Sequence, residues 1–172
     1  MKNIVLIGFM GSGKSTVGCR LAHRLGYKFV DTDYEIEQVT GLTVAQIFAK
    51  HGVKRFRGEE ALLVSKLMHQ QDLVIATGGG LVLRPENVAM LQQNGVLIGL
   101  KASAQTICSR VRNKRTRPLL ARGNLRENVE RLLRERQAAY DVAEFSVDVD
   151  QLTPEEIVDI IYHYLKEKGY VR

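Results

Sequence analysis

Short apolar runs and longer mixed segments alternate along this chain. The run "NIVLI" at 3–7 is followed by a segment from Lys14 to Leu25 whose apolar residues recur every three or four positions. That spacing predicts an amphipathic helix. "YKFVD" at 27–31 leads into helical patterns that continue through Gln70. "LVIATGGG" at 73–80 precedes "RPENVAMLQQNG", where Pro85 suits a helix start and Gly95 its end. "VLIGLK" precedes "SAQTICSRVR"; then come a helical pattern from Leu125 to Tyr140, a short strand "SVDVD", and a last helix opened by Thr153 and Pro154. The apolar runs do not alternate between inward and outward positions, which suits strands covered on both faces of a parallel sheet. Five such strands separated by helices predict a doubly wound α/β fold with helices on both faces. Ligands in such folds lie beyond the carboxyl ends of the strands.

Composition narrows the class. The chain has 172 residues, 45% of them hydrophobic, which suits one globular domain over 1–172 with its own core. No apolar run approaches the roughly 18 residues of a membrane span. The opening "MKNIVLIGFMG" passes straight from an apolar run into a glycine loop, so it reads as a first strand and not as a secretion signal. Cys19 and Cys108 are far apart and form no metal-spaced pair; buried, reduced thiols are expected. These features together predict a cytoplasmic protein without a membrane partner.

The formal charge is +6, and it is concentrated. From Arg110 to Arg136, nine arginines and Lys114 face only Glu127, Glu130 and Glu135, a net of +7, so the rest of the chain sums to −1. Such a segment suits nucleic-acid binding or a lid that closes over a polyphosphate.

"GFMGSGKS", Gly8 to Ser15, matches the phosphate-loop pattern G-x-x-x-x-G-K-[ST]. Glycines let backbone N–H groups turn inward onto an anion, and the following helix adds its positive end. Lys14 is placed to reach β- and γ-phosphates, and Ser15 to offer a hydroxyl to Mg²⁺. The dinucleotide fingerprint G-x-G-x-x-G does not explain Lys14 and Ser15.

Other groups fall at the same predicted sheet edge. Asp31 and Asp33 follow the second strand, and a persisting strand period would turn both the same way. One carboxylate suits a metal held through water; the other suits an acceptor hydroxyl, a poor nucleophile that benefits from a base. Asp33, followed by Glu35 and Glu37, equally suits a helix N-cap. Arg57 and Glu60, three apart, suit a helical ion pair, which on its own reads as solvated. Thr77 is followed by three glycines, Gly78 to Gly80, whose backbone N–H groups suit a carboxylate or hydroxyl. "RTRPLLARGN" reads as a loop from which an arginine suits the charge of a transferring phosphoryl group.

Together these residues resemble the shikimate kinase family. The resemblance rests on "GFMGSGKST", "DTD" at 31–33, "FRGEE" at 56–60, "TGGG" at 77–80, "RPLL" at 117–120, and Arg136 four before Tyr140. It implies ATP-dependent phosphorylation of the 3-hydroxyl of shikimate, a P-loop kinase core, a substrate-binding helical subdomain around 33–61, and a lid around 112–124. It implies that Gly11, Ser12, Gly13, Lys14, Ser15 and Thr16 hold the nucleotide, with Lys14 and Arg117 on the transferring phosphates. Ser15 then ligates Mg²⁺ with Asp31 behind it. Asp33 holds shikimate hydroxyls and acts as base. Arg57 and Arg136 grip the substrate carboxylate with the backbone of Gly78, Gly79 and Gly80, and Glu60 positions Arg57. Arg110 and Pro154 wall the adenine. The resemblance also implies a monomer with no nucleic-acid partner. Two rivals remain: a gluconate kinase on the same scaffold, against which "FRGEE" and "TGGG" argue, and a nucleic-acid-associated nucleotide switch using the basic segment.

Overall fold

The fold is given by a computed structural model, which describes residues 1–111, 118–120 and 123–172. Its strands are β1 (Asn3–Gly8), β2 (Lys28–Asp31), β3 (Leu73–Ala76), β4 (Gly95–Lys101) and β5 (Phe145–Asp148). They form one parallel sheet in the order β2-β3-β1-β4-β5. The helices are α1 (Lys14–Leu25), α2 (Thr32–Thr40), α3 (Val44–Leu67), α4 (Pro85–Asn94), α5 (Ala104–Arg110), α6 (Leu125–Tyr140) and α7 (Pro154–Glu167). Among the described residues no helix is long and apolar enough to cross a membrane.

The lack of in-out alternation in β1 has its reason in the sheet's two covered faces. Ile4 and Leu6 pack on one face with Leu21 of α1 and Ile161 of α7. Val5 and Ile7 pack on the other with Val64 of α3, Leu91 of α4 and Val129 of α6. Burying each such side chain stabilises the fold by about 1.5–3 kcal/mol. Because β1 is central, the loop that leaves it lies in the crevice where strand order reverses. A third, small cluster of Ile36, Ile47 and Phe56 joins α2 to α3 away from the sheet.

Local chemistry sets the ends of the helices. Pro154 occupies the first turn of α7, and Thr153 and Glu156 form a reciprocal capping box. The helical patterns through Gln70 resolve into two helices, α2 and α3, at a boundary that the sequence reading did not place. Gly41, in the left-handed region at φ 68°, ends α2 by donating its N–H to Glu37 O. Thr43 then opens α3 in a capping box with Gln46. The apolar positions Ile36, Leu42, Ile47 and Phe48 continue across this break and conceal it in the sequence. Within α3, Gly52 at φ 80° interrupts the helix.

The cysteines depart from expectation. Cys19 is exposed, because the buried stripe of α1 runs through Val17, Gly18, Leu21 and Ala22. Cys108 is half-buried. Neither is the fully buried thiol expected.

Asn3 ties the start of β1 to the connection into β3. Its side-chain amide donates to Gln70 O at 3.0 Å, and its Oδ1 accepts from the Leu73 N–H at 3.0 Å. Asn3→Ala leaves that buried N–H without its partner. The expected cost is about 1–3 kcal/mol, read from the urea-unfolding midpoint; an unchanged midpoint would remove the cross-link from the account of stability.

Candidate active site

The phosphate loop follows β1 without a break. Gly13 sits at φ 98°, a left-handed conformation that a side chain disfavours, and it turns the chain into α1. Ser12 is fully buried, and its N–H closes the loop on Phe9 O at 3.1 Å. Lys14 is the first residue of α1 and is only 8% exposed. Its Nζ folds back over the loop and donates to Gly8 O at 2.7 Å and Phe9 O at 2.9 Å. A buried ammonium needs such acceptors, and these hold the charge at the centre of the turn.

Beside the loop, Ser15 Oγ donates to Asp31 Oδ2 at 2.5 Å. The other oxygen of Asp31 accepts the Tyr34 N–H at 3.2 Å and caps α2. So Asp31 is the N-cap of α2, which corrects the expectation of Asp33 in that place. The strand period does not persist either: β2 ends at Asp31, and Asp33 stands in the first turn of α2. Both carboxylates still line one cavity, because a helix starting at Thr32 carries Asp33 round to the same opening.

That cavity has a volume of about 780 Å³. Its floor is the loop segment with Gly11, Gly13, Lys14, Ser15 and Thr16. Gly78, Gly79 and Gly80 form one wall. Arg57 and Arg136 enter from α3 and α6, and Arg110 from the end of α5. Arg110 donates to Gly11 O at 3.3 Å. Pro154, at the start of α7, is not among the lining residues, while Ser12 and Glu60 are buried behind the surface. Arg117 and most of 112–124 lie outside the described residues.

Sequence reasoning did not single out the apolar part of the lining: Phe48, Phe56, Val44 and Leu119. Val44 and Phe48 stood only as apolar positions in a helical stretch, indistinguishable from core, while Phe56 and Leu119 stood within "FRGEE" and "RPLL" with no role given to them.

The arginines are held differently. Arg57 Nη1 donates to Glu60 Oε1 at 2.6 Å. The pair is not solvated, as the sequence alone suggested: Glu60 is 0% exposed and the Arg57 side chain 23%. Burial raises the Glu60 carboxyl to about 7, against the opposing pull of Arg57. Arg136 is 5% exposed, and its Nη1 has no hydrogen-bond partner among the described residues. A buried guanidinium nitrogen left this way is a donor suited to an incoming anion.

The triple glycine is fixed by its neighbours. The Gly78 N–H donates to Thr32 Oγ1 at 2.8 Å, and Tyr140 OH donates to Gly79 O at 2.6 Å. A Cβ on Gly78 would lie 2.5 Å from Asp33 Oδ1, and one on Gly80 would collide with the Arg57 guanidinium. Here glycine is required for close approach, not for left-handed backbone.

An ammonium wrapped over a phosphate loop, on this strand order, defines a P-loop kinase, and the two guanidiniums beyond it suit a small anionic acceptor. A family model described as shikimate kinase matches residues 10–166. A shikimate kinase of Pelotomaculum thermopropionicum is 61% identical over 99% of this chain and 99% of that protein. Among solved structures, shikimate kinase from Acinetobacter baumannii in complex with shikimate is 34% identical, with a TM-score of 0.94, over 98% of this chain and 94% of that one. The Aquifex aeolicus shikimate kinase is also 34% identical, with a TM-score of 0.85, over 97% and 98%. The chain belongs to the shikimate kinase family. It is an ATP-using transferase, and the family's reaction yields shikimate 3-phosphate and ADP, a step of aromatic amino-acid biosynthesis.

Gly80 has an ordinary φ of −106°, so Gly80→Ala strains no backbone. The atoms its Cβ would meet are the far end of a flexible side chain. The expected result is a KM for shikimate raised by about tenfold or more through a displaced Arg57, with little change in melting temperature. An unchanged KM would show that the guanidinium position is not critical.

Proposed function

We propose that this chain phosphorylates the 3-hydroxyl of shikimate in the cavity described, with its residues divided between two ligands. The observation that carries this reading is the convergence of Arg57, Arg136 and Asp33 on the triple glycine, next to the Lys14 loop. Two guanidiniums that reach the cavity, with the Asp33 carboxylate beside them, suit an acceptor that carries a carboxylate and hydroxyls. A neutral polyol has no use for the guanidinium pair.

On the nucleotide side, the loop from Gly11 to Thr16 cradles the phosphates with backbone N–H groups, and the start of α1 faces the same anion. Lys14 leaves the carbonyl oxygens of Gly8 and Phe9 for the β- and γ-phosphates. Arg117 joins it on the transferring group; this assignment rests on its sequence position alone. Arg110 walls the adenine, supported by its place on the cavity rim. For Pro154 the same role has only sequence position behind it.

The donors beside the loop fit Mg²⁺. Ser15 and Asp31 present a hydroxyl and a carboxylate, hard oxygens within hydrogen-bond distance of each other. Among the described residues no cluster of three or more His, Cys, Asp or Glu forms a protein cage for a metal. One or two protein oxygens are enough for Mg²⁺, which keeps several of its waters. Ser15 is the direct ligand, and Asp31 holds it from behind. When bound, the metal neutralises charge on the phosphate oxygens.

On the acceptor side, Arg57 and Arg136 take the carboxylate through paired N–H donors. Glu60 holds Arg57 in place, and the Gly78–Gly80 backbone adds polar contacts. Asp33 accepts the hydrogen of the 3-hydroxyl, orients the oxygen for in-line attack, and receives the proton as the new P–O bond forms and the bond from the γ-phosphorus to the bridging oxygen breaks, releasing ADP. Residues 33–61 act as the acceptor-binding subdomain and 112–124 as a lid that excludes water. The basic segment then serves the two small ligands and not nucleic acid: Arg136 is buried at the acceptor side of the cavity and Arg110 lines its nucleotide side. The enzyme works as a cytoplasmic monomer.

ADP release in the presence of ATP and Mg²⁺, with shikimate, with gluconate and with no acceptor, tests the reaction. Only shikimate is expected to stimulate it; equal rates with gluconate would overturn the acceptor assignment. Asp33→Asn is expected to lower kcat by about 10²- to 10⁴-fold with the KM for ATP nearly unchanged. A parental kcat would remove Asp33 from the chemistry. Arg57→Ala should weaken acceptor binding by roughly 2–5 kcal/mol, because a desolvated carboxylate loses its partner. An unchanged KM would return Arg57 to a structural role.

A further inference from the structure

Glu60 has a property that positioning Arg57 does not use. Only Oε1 meets the Arg57 guanidinium. Oε2 is buried, with no hydrogen-bond partner among the described residues. It faces the point beside Gly78 that Asp33 Oδ1 also faces: a Cβ there would lie 3.2 Å from Glu60 Oε2 and 2.5 Å from Asp33 Oδ1. Ionised, Glu60 leaves one oxygen dry and turned toward another carboxylate, an arrangement that any further negative charge makes less favourable. Protonation turns that oxygen into a donor.

The charges that face Glu60 are Arg57 on its own helix, Asp33 from α2 and Arg136 from α6. From α4, Glu86 points to water beside Arg84. The short turn at Leu81–Leu83 brings no titratable side chain. With both carboxyls ionised, two guanidiniums and two carboxylates sum to zero. The acceptor's carboxylate adds one negative charge to this dry cluster, and it draws on the same guanidinium that steadies Glu60.

We infer that Glu60 takes up one proton from solvent when the acceptor's carboxylate binds between Arg57 and Arg136, so that the loaded cluster stays neutral. The inference rests on the acceptor site proposed above. Glu60 is thus a positioning residue whose charge state is coupled to binding. The sign follows from burial. The carboxyl already sits at about 7 with Arg57 opposite, and an added anion raises it further. Below that pH the proton is present before the acceptor arrives, and binding takes up none. Above it, each bound acceptor brings a proton, and affinity falls as pH rises until the loaded enzyme also loses its proton. The acceptor's carboxylate is ionised throughout this range. Tyr140, raised by burial above its ordinary 10.0, keeps its proton. None of the four histidines is among the lining residues.

The test is calorimetric titration of the full chain with shikimate and without nucleotide, whose γ-phosphate titrates nearby. It is run in two buffers of different ionisation heat at several pH values. Near pH 6 the buffers should agree; by about pH 8 the parent should take up close to one proton, and its affinity should fall by up to about tenfold per pH unit above 7. Glu60→Gln keeps an oxygen for Arg57 but cannot titrate, so it should bind with no proton uptake and a flat pH profile. Parent binding without proton uptake would overturn the inference while leaving the acceptor site standing. Uptake that persists in Glu60→Gln would assign the proton to another group and overturn it equally. Failure of shikimate to bind the parent at any pH would overturn the acceptor site and the inference together. If the variant does not fold, Glu60→Asp is the second variant, expected to shift the pH at which uptake begins; an unmoved onset would overturn the inference.

Discussion

A carboxyl group sealed from water beside an arginine constrains much of the acceptor half of this site. Moving an ion of that size out of water costs several kcal/mol even after the surroundings relax. Arg57 offsets part of that cost for Glu60 with a short, charge-assisted hydrogen bond on the same helix, and the remainder shows as a carboxyl raised to about 7. The return is in geometry. Arg57 has a long side chain with much rotamer freedom, and one buried anchor fixes its planar fork before any ligand arrives. A guanidinium already held in its binding pose loses less freedom on association. The ion pair is therefore weak evidence for stability and stronger evidence for preorganisation.

That arrangement works only because the wall opposite has no side chains. Gly78 leaves room for Asp33 and Glu60, and Gly80 for Arg57. A chain of glycines would ordinarily wander, and here it is tied at two points from distant elements. Thr32, at the start of α2, accepts the Gly78 N–H, while Tyr140, at the end of α6, donates to Gly79 O. The same two helices carry Asp33 and Arg136. Each helix therefore delivers a functional side chain and also fixes the backbone that the side chain approaches. The two halves of the cavity meet at the sheet edge, where β1, β2 and β3 end side by side.

Much of this was legible in the linear pattern. Lys14–Leu25 and Leu125–Tyr140 were read with the bounds they have, because periodicity and flanking polar residues agree there. The phosphate loop was legible because its chemistry is local: turn, charge and hydroxyl occur within eight residues. Asp31 and Asp33 were found but the N-cap was placed on Asp33, since a strand and helix boundary two residues earlier moves it to Asp31. The break between α2 and α3 was missed where apolar residues bridge it. Cys19 was misjudged because a small apolar residue on a helix carries no mark of which face it occupies.

By itself the sequence determined the order of strands and helices, the phosphate loop, and the set of charged residues available to an acceptor. Those features depend on neighbours within a few positions, so a linear reading reaches them. The tertiary structure alone decided which charges are dry. Arg57 and Glu60 look like any surface pair three residues apart, and Arg136 like one more arginine in a basic run. Packing against the triple glycine removes water from Glu60 and Arg136 and turns them from solvated charges into a binding cluster. Burial is a property of what lies opposite in space, and the residues opposite come from α2, β3 and α6, separated from α3 by long stretches of chain.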